Sequence, residues 1–286
     1  MMIYGTVFCL WMALRQAAKN DHSLETGQPL VEEGREDKVL CWPDLVYEEL
    51  IAMVLCTALL IVWSVFLKAP LEAPANPAGP PNPSKAPWYF LGLQELLVYF
   101  DPWMAGVVLP GLIIVGLGAL PFIDVNPKGN GYYTYKERKF AIWTFMFGFV
   151  ILWVVLIVFG TFLRGPNWNF FGPFQPWDPH RVDKLTNINL SEIVYVQTLH
   201  RPMPESRLVR EAPGLLFAAF WLFALPPLLA QIWPLFKRLR YQMGFARYYL
   251  MSFLFVVMML VPVKMAARWL FNLKYIIAIP EINFNL

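Results

Sequence analysis

Long apolar blocks separated by short polar ones organise this chain. Four uncharged blocks, Leu50–Leu67, Pro102–Ile123, Phe140–Leu163 and Ala212–Phe236, meet or approach the roughly 20 apolar residues that a bilayer-spanning helix needs. A fifth, Tyr248–Val263, is shorter. It predicts a span that runs on past Lys264 and Arg268, whose long stems can carry their charges toward the interface. Met1–Leu14 is also apolar and is followed by Arg15 and Lys19. A signal peptide would place its charge before the apolar run and end in a small-residue cleavage site, so none is expected. Residues 1–18 read instead as a short sixth membrane helix or as an interfacial one. The pattern predicts an all-α, polytopic membrane helical bundle with five spans and this sixth candidate.

The connecting segments differ in character. Residues 19–46 are polar and acid-rich, with Glu32, Glu33, Glu36 and Asp37. Ala69–Pro83 carries too many prolines for a helix or a central strand. Lys85–Phe100 reads as a short helix lying along the membrane surface, and Asp101-Pro102 breaks it. Residues 128–139 and 237–247 are short, densely basic loops, which should face the cytoplasm. The long segment 165–211 then faces outward, as does the proline-rich one. It contains Trp168, Phe170, Phe171, Phe174 and Trp177, too many aromatics for a disordered linker. They suit the water–lipid interface and an ordered docking surface. No internal repeat is visible.

Composition supports the membrane reading. Of 286 residues, 58% are hydrophobic, 16% aromatic and only 15% charged, whereas a soluble domain is nearer half apolar and a quarter charged. The net charge of +3 gives no basis for a nucleic-acid partner. Cys9, Cys41 and Cys56 form no Cys-x-x-Cys pair, so covalent haem attachment of the usual kind is not expected. A membrane-embedded b-type haem needs axial histidines inside helices. His22, His180 and His200 all lie outside the predicted spans, so no haem with paired ligands from this chain alone is expected.

The most specific stretch is Asn82-Pro-Ser-Lys-Ala-Pro-Trp-Tyr-Phe-Leu-Gly-Leu-Gln-Glu-Leu-Leu97, preceded by Pro70-Leu-Glu-Ala-Pro-Ala-Asn-Pro-Ala-Gly-Pro-Pro81. Its place between the first and second spans resembles the cytochrome b C-terminal domain, called subunit IV when it is a separate polypeptide. The resemblance covers roughly residues 40–165, with a three-helix core at 47–164 and a quinol-pocket segment at 82–100. In that family a Pro-Glu-Trp-Tyr motif walls the quinol-oxidation pocket. Here the motif reads Ala86-Pro87-Trp88-Tyr89, and its glutamate is replaced by Pro87.

The resemblance implies a membrane subunit of a quinol:cytochrome c oxidoreductase in a bacterial inner membrane, not catalytic alone. It implies a quinol or quinone at a shared site, with the b-type haems and a Rieske cluster on partner subunits. Those partners would be a haem-bearing cytochrome b N-terminal half, a Rieske iron–sulfur protein and a c-type cytochrome, multihaem in some bacterial complexes. The loss of the motif glutamate points to menaquinol. Pro87, Trp88, Tyr89, Phe90, Leu93 and Gln94 are the candidate quinol-binding residues.

Quinol oxidation releases protons, and Pro87 cannot accept one. At ~100° per residue, Gln94 lies near the face of Pro87 and Glu95 about 80° away. Glu95 is the nearest downstream carboxylate and the expected stand-in proton acceptor. Asp44, Glu48 and Glu49, at the start of the first span, match inner-side acids that feed protons in the family. They equally suit a helix N-terminus, where negative charge favours the dipole. The two spans in 212–286 lie beyond the resemblance. They leave open a structural anchor that docks a cytochrome without touching quinol. A transporter would show buried charge or internal symmetry in its spans, and the three best spans lack both.

Overall fold

The computed structural model describes residues 2–33, 40–68, 74–79, 81–125, 134–172, 175–177, 186–282 and 284–286. Five helices are long and apolar enough to cross a membrane: Cys41–Phe66, Met104–Ile123, Tyr135–Leu163, Ala212–Ile232 and Pro234–Phe271. This is an all-α, multi-pass membrane protein. The first span has 26 residues, about 39 Å at 1.5 Å per residue, more than the roughly 30 Å of hydrocarbon it must cross.

The chain divides into two compact units. One comprises Met1–Pro80 and Lys128–Ile142. Here the N-terminal helix runs over Met2–Thr26, past the boundary at residue 18 that hydropathy suggested. Polar residues after Ala18 stay helical because their side chains are engaged. The Asn20 amide donates to both oxygens of Glu32 at 2.6 and 2.9 Å, and its Oδ1 accepts from the Val31 backbone N–H at 3.1 Å. The chain thus folds back after Gly27, whose φ of +67° suits a residue without Cβ. Asp21 accepts the backbone N–H of Lys136 at 3.2 Å, and Glu25 pairs with the Lys136 ammonium. The first span also lies in this unit and buries none of its side chains.

The second unit comprises Pro81–Pro127 and Trp143–Leu286. Its core joins Tyr99, Phe100 and Leu156 of the middle of the chain to Val257, Leu260 and Ile277 of the C-terminal part. The two C-terminal spans therefore complete the core around which the short helix after the proline-rich segment packs.

Three details of the C-terminal part differ from the sequence expectation. The fourth span ends at Ile232, because Trp233 is extended and Pro234 opens the next helix. The basic segment 237–247 is helical apart from a break at Gly244, φ +75° and ψ −176°, rather than a loop. Lys264 does not reach toward the interface. It is fully buried, and its ammonium donates to the carbonyl of Lys274 at 2.6 Å. Arg268 likewise turns back on the protein, bonding the carbonyls of Asn272 and Thr186 at 3.0 and 3.2 Å. Both side chains donate to carbonyls beyond the last helix, tying the segments that follow and flank its end.

Residues after Phe271 form a compact cap. Ala278–Ile279 pairs antiparallel with Phe284–Asn285, and Ile188 bridges in parallel to Leu273. Glu211, which is buried, ties this cap to Ser191: one carboxylate oxygen accepts from Ser191 at 3.1 Å and from the Ala278 N–H at 2.9 Å.

Candidate functional site

The segment singled out by sequence folds as a nine-residue helix, Trp88–Leu96. Pro87 is its N-cap, extended at φ −53° and ψ 149°, and proline suits this place because an N–H there would have no helical partner. Gln94 locks the approach to the helix. Its Oε1 accepts the Ala86 N–H at 2.9 Å and its Nε2 donates to the Ser84 carbonyl at 2.8 Å. The Gln94 side chain is therefore engaged with the backbone just ahead of Pro87.

The two sides of this helix differ sharply. Leu91, Gly92, Glu95 and Leu96 are buried. Gly92 lets the helix close on the third span: a Cβ there would lie 3.4 Å from Ile157 and 3.5 Å from Trp153. Gly160 does the same from the other side, where a Cβ would come within 3.2 Å of the Leu91 carbonyl. Such approaches are what small residues permit in membrane packing. Leu93 packs against the core of the unit. Pro87, Trp88, Tyr89 and Phe90 are exposed. Their rings form a continuous ledge, with Trp88 edge-on to Tyr89 at 5.5 Å and Tyr89 against Phe90 at 4.9 Å.

Glu95 sits behind the ledge with no exposed surface. Arg164, which follows the third span, approaches it as a fork: Nε to Oε2 at 2.9 Å and Nη2 to Oε1 at 2.6 Å. Tyr99 donates its hydroxyl to Oε1 at 2.9 Å and Trp168 its indole N–H to Oε2 at 3.1 Å. Four donors thus occupy the carboxylate, about as many as its lone pairs accommodate. Burial, and next the neighbouring Glu95 charge, push the Tyr99 phenol well above its ordinary range.

Arg164 is itself held. Its Nη1 donates to the Trp168 carbonyl at 2.7 Å, and its guanidinium lies 3.8 Å from the Phe170 ring centroid. A bridge between Arg164 and Phe170 closes a tight loop in which Asn167 and Trp168 both take positive φ. The Asn167 N–H donates to Asn82 Oδ1 at 2.7 Å, and the Lys85 ammonium donates to the Thr161 carbonyl at 2.9 Å and lies 4.9 Å from the Trp177 ring centroid. Burial pushes the Lys85 pKa down. The segment that begins at Arg164 is thus bound to both ends of the short helix. Phe174 and His180 lie outside the described residues.

The expected site residues therefore separate into groups. Pro87, Trp88, Tyr89 and Phe90 share one open ledge. Leu93 and Gln94 support it from within. Glu95, the expected stand-in proton acceptor, is buried, and its carboxylate is bonded by an arginine fork and two neutral donors. Asp44, Glu48 and Glu49 lie exposed in the opening turns of the first span, where acids favour the helix dipole. His22 and His200 are exposed. Sequence reasoning missed Arg164, Tyr99 and Trp168. A lone glutamate in an apolar helix and a lone arginine ending a span were the available signal, but 69 residues separate them.

Residues 74–163 match the family model described as Cytochrome b(C-terminal)/b6/petD. This segment belongs to the cytochrome b C-terminal family. A curated relative, "Cytochrome b" of Marchantia polymorpha, is 29% identical over 127 residues, which cover 42% of this chain and 31% of the relative. The chain thus spans about a third of the length of that relative. No solved structure matches the chain significantly. Within the cytochrome b C-terminal segment lie the short helix, its aromatic ledge, the second span and the third span up to Leu163. Arg164 stands just past its end, and the last two spans lie beyond it.

Proposed function

We propose that this chain is a membrane subunit of a quinol:cytochrome c oxidoreductase and that it forms one wall of an outer-side quinol-oxidation pocket. The observation that carries this reading is the ledge of Pro87, Trp88, Tyr89 and Phe90, exposed on a helix whose other side is locked down, inside the segment that matches the cytochrome b C-terminal family. Exposed rings beside a rigid support suit a planar, apolar headgroup, and a pocket wall must be preorganised to hold a reactant at reacting distance. A second polypeptide bearing b-type haems closes the pocket. One electron goes to a Rieske protein and on to a c-type cytochrome, the other to the b-type haems, in a bacterial inner membrane.

In this reading quinol gives up two electrons and two protons. The ledge binds and orients the quinol ring. The position of the family's glutamate is Pro87, which cannot titrate, and Glu95 is committed to Arg164. Both protons therefore pass to water or to groups on the haem-bearing partner. We assign menaquinol as the substrate, because the usual carboxylate acceptor is missing from the motif.

The test is Trp88→Ala in the intact purified complex. The expected result is weaker binding of a quinone-site inhibitor and a higher quinol KM, with haem content unchanged. Inhibitor affinity and turnover equal to the parent's would overturn the reading and leave a structural anchor in its place.

A further inference from the structure

We propose that Arg164 is the positioning residue of this pocket: through its fork on Glu95 it sets the pose of the helix that carries Trp88, Tyr89 and Phe90. This inference rests on the reading of those three rings as a quinol-pocket wall. It concerns a residue outside the cytochrome b C-terminal segment, and it gives Glu95 a different task from proton transfer.

Three observations carry it. First, the Trp88–Leu96 helix is only nine residues long. A helix of that length is marginal by itself, and its pose must come from tertiary contacts. Second, its fixed side holds a single charge, Glu95, and that charge is met bidentately by Arg164 with no exposed surface on the carboxylate. A two-pronged, planar contact restrains rotation as well as distance, which a point contact does not. Third, Arg164 is preorganised from its own side. The Trp168 carbonyl and the Phe170 ring fix the guanidinium, and the Arg164–Phe170 bridge closes the loop behind it. Trp168 serves twice, accepting from Arg164 through its carbonyl and donating to Glu95 through its indole.

The apolar contacts of Gly92 and Gly160 bring the short helix against the third span, but they make no directional bond to it. The fork defines where along and around its axis the helix stops. Because Glu95 lies seven residues after Trp88, close to two turns, a small rotation at Glu95 moves the whole ledge. A misplacement of about 1 Å far from the chemistry can cost about a hundredfold in rate or binding.

Arg164→Lys is the first variant, because it keeps the charge and loses the fork. In the intact complex, with menaquinol as donor and a soluble cytochrome c as acceptor, it should raise the quinol KM and the Kd of a quinone-site inhibitor about tenfold or more. The shape of the pH–rate profile should stay as in the parent, since no proton-transfer group is lost. Two milder variants, Trp168→Phe and Tyr99→Phe, each remove one donor to Glu95 and keep an aromatic ring. They should raise the same constants in the same direction by less, and they carry the test if Arg164→Lys fails to assemble. Trp88→Ala is the parallel control. If Trp88→Ala weakens inhibitor binding while all three supporting variants bind as the parent does, the positioning role is wrong and the pocket stands. If Trp88→Ala also binds as the parent does, the pocket reading itself is wrong. A Glu95→Gln complex whose pH profile loses an ionisation, with KM unchanged, would return Glu95 to proton transfer and overturn the inference.

Discussion

The ammonium of Lys264 donates to the backbone carbonyl of Lys274 at 2.6 Å, ten residues further on. The Leu286 carbonyl is 3.5 Å away and the Phe100 ring centroid 5.9 Å. A charge that hydropathy assigns to the edge of a span is instead the central tie between the last helix and the residues that cap it. It is also why those residues fold back onto the core: a buried ammonium needs oxygen acceptors, and the turn after Phe271 supplies them.

Lys264→Met keeps the length of the stem and removes the donors. The Lys274 carbonyl then loses a charge-assisted bond, worth about 1.5–3 kcal/mol. Amide exchange across residues 274–282 should quicken while the five spans keep their protection. Unchanged exchange in those residues would show that apolar packing alone holds the cap.

Glu95→Gln should destabilise the subunit. It leaves the Arg164 guanidinium buried and without its counter-charge, and breaking a buried pair from one side costs about 3–5 kcal/mol. The fall should appear as a lower melting temperature of the detergent-solubilised complex. A melt equal to the parent's would mean that the pair contributes little to stability.

Gly214→Ala should disturb assembly. A Cβ on Gly214 would collide with the Ile276 carbonyl and crowd Ile277, whose Cγ1 would stand 2.9 Å away. The obstacle is backbone, which cannot swing aside as a side chain can. Overpacking of this kind costs about 1–3 kcal/mol. Lower yield and faster proteolysis between 186 and 211 are expected, because Glu211 ties that segment to Ala278.

Tyr99 makes stability depend on alkaline pH. Its phenol is raised above the ordinary value of 10.0 by burial and by the Glu95 charge, so the folded state holds this proton more tightly than the unfolded state. The contribution is complete below about pH 10 and is lost as pH rises through the unfolded value toward the folded one. Tyr275, raised by burial and by Asp101, acts in the same direction. Tyr99→Phe should flatten part of the decline in melting temperature above pH 10 and leave the pH 6–9 range level. A decline of the same steepness in Tyr99→Phe would place the effect on other groups.

What the amino-acid sequence determined by itself is the membrane architecture, because hydrocarbon imposes a strong, local demand: roughly 20 apolar residues in helix. Four of the five spans end just before a charge or a proline: Phe66 ahead of Lys68, Ile123 of Asp124, Leu163 of Arg164 and Ile232 of Pro234. The sequence also marked the aromatic segment, since Trp88-Tyr89-Phe90 after a proline-rich run is a local pattern. Tertiary structure decided the rest. Whether Lys264 reaches toward water or turns inward depends on where Lys274 lies, and no periodicity carries that. The partner of Glu95 stands 69 residues away, on a loop whose path is set by Arg164, Trp168 and Phe170 closing on one another. Hydropathy assigns a charge its cost of burial; only the packed chain supplies the opposite charge that offsets it.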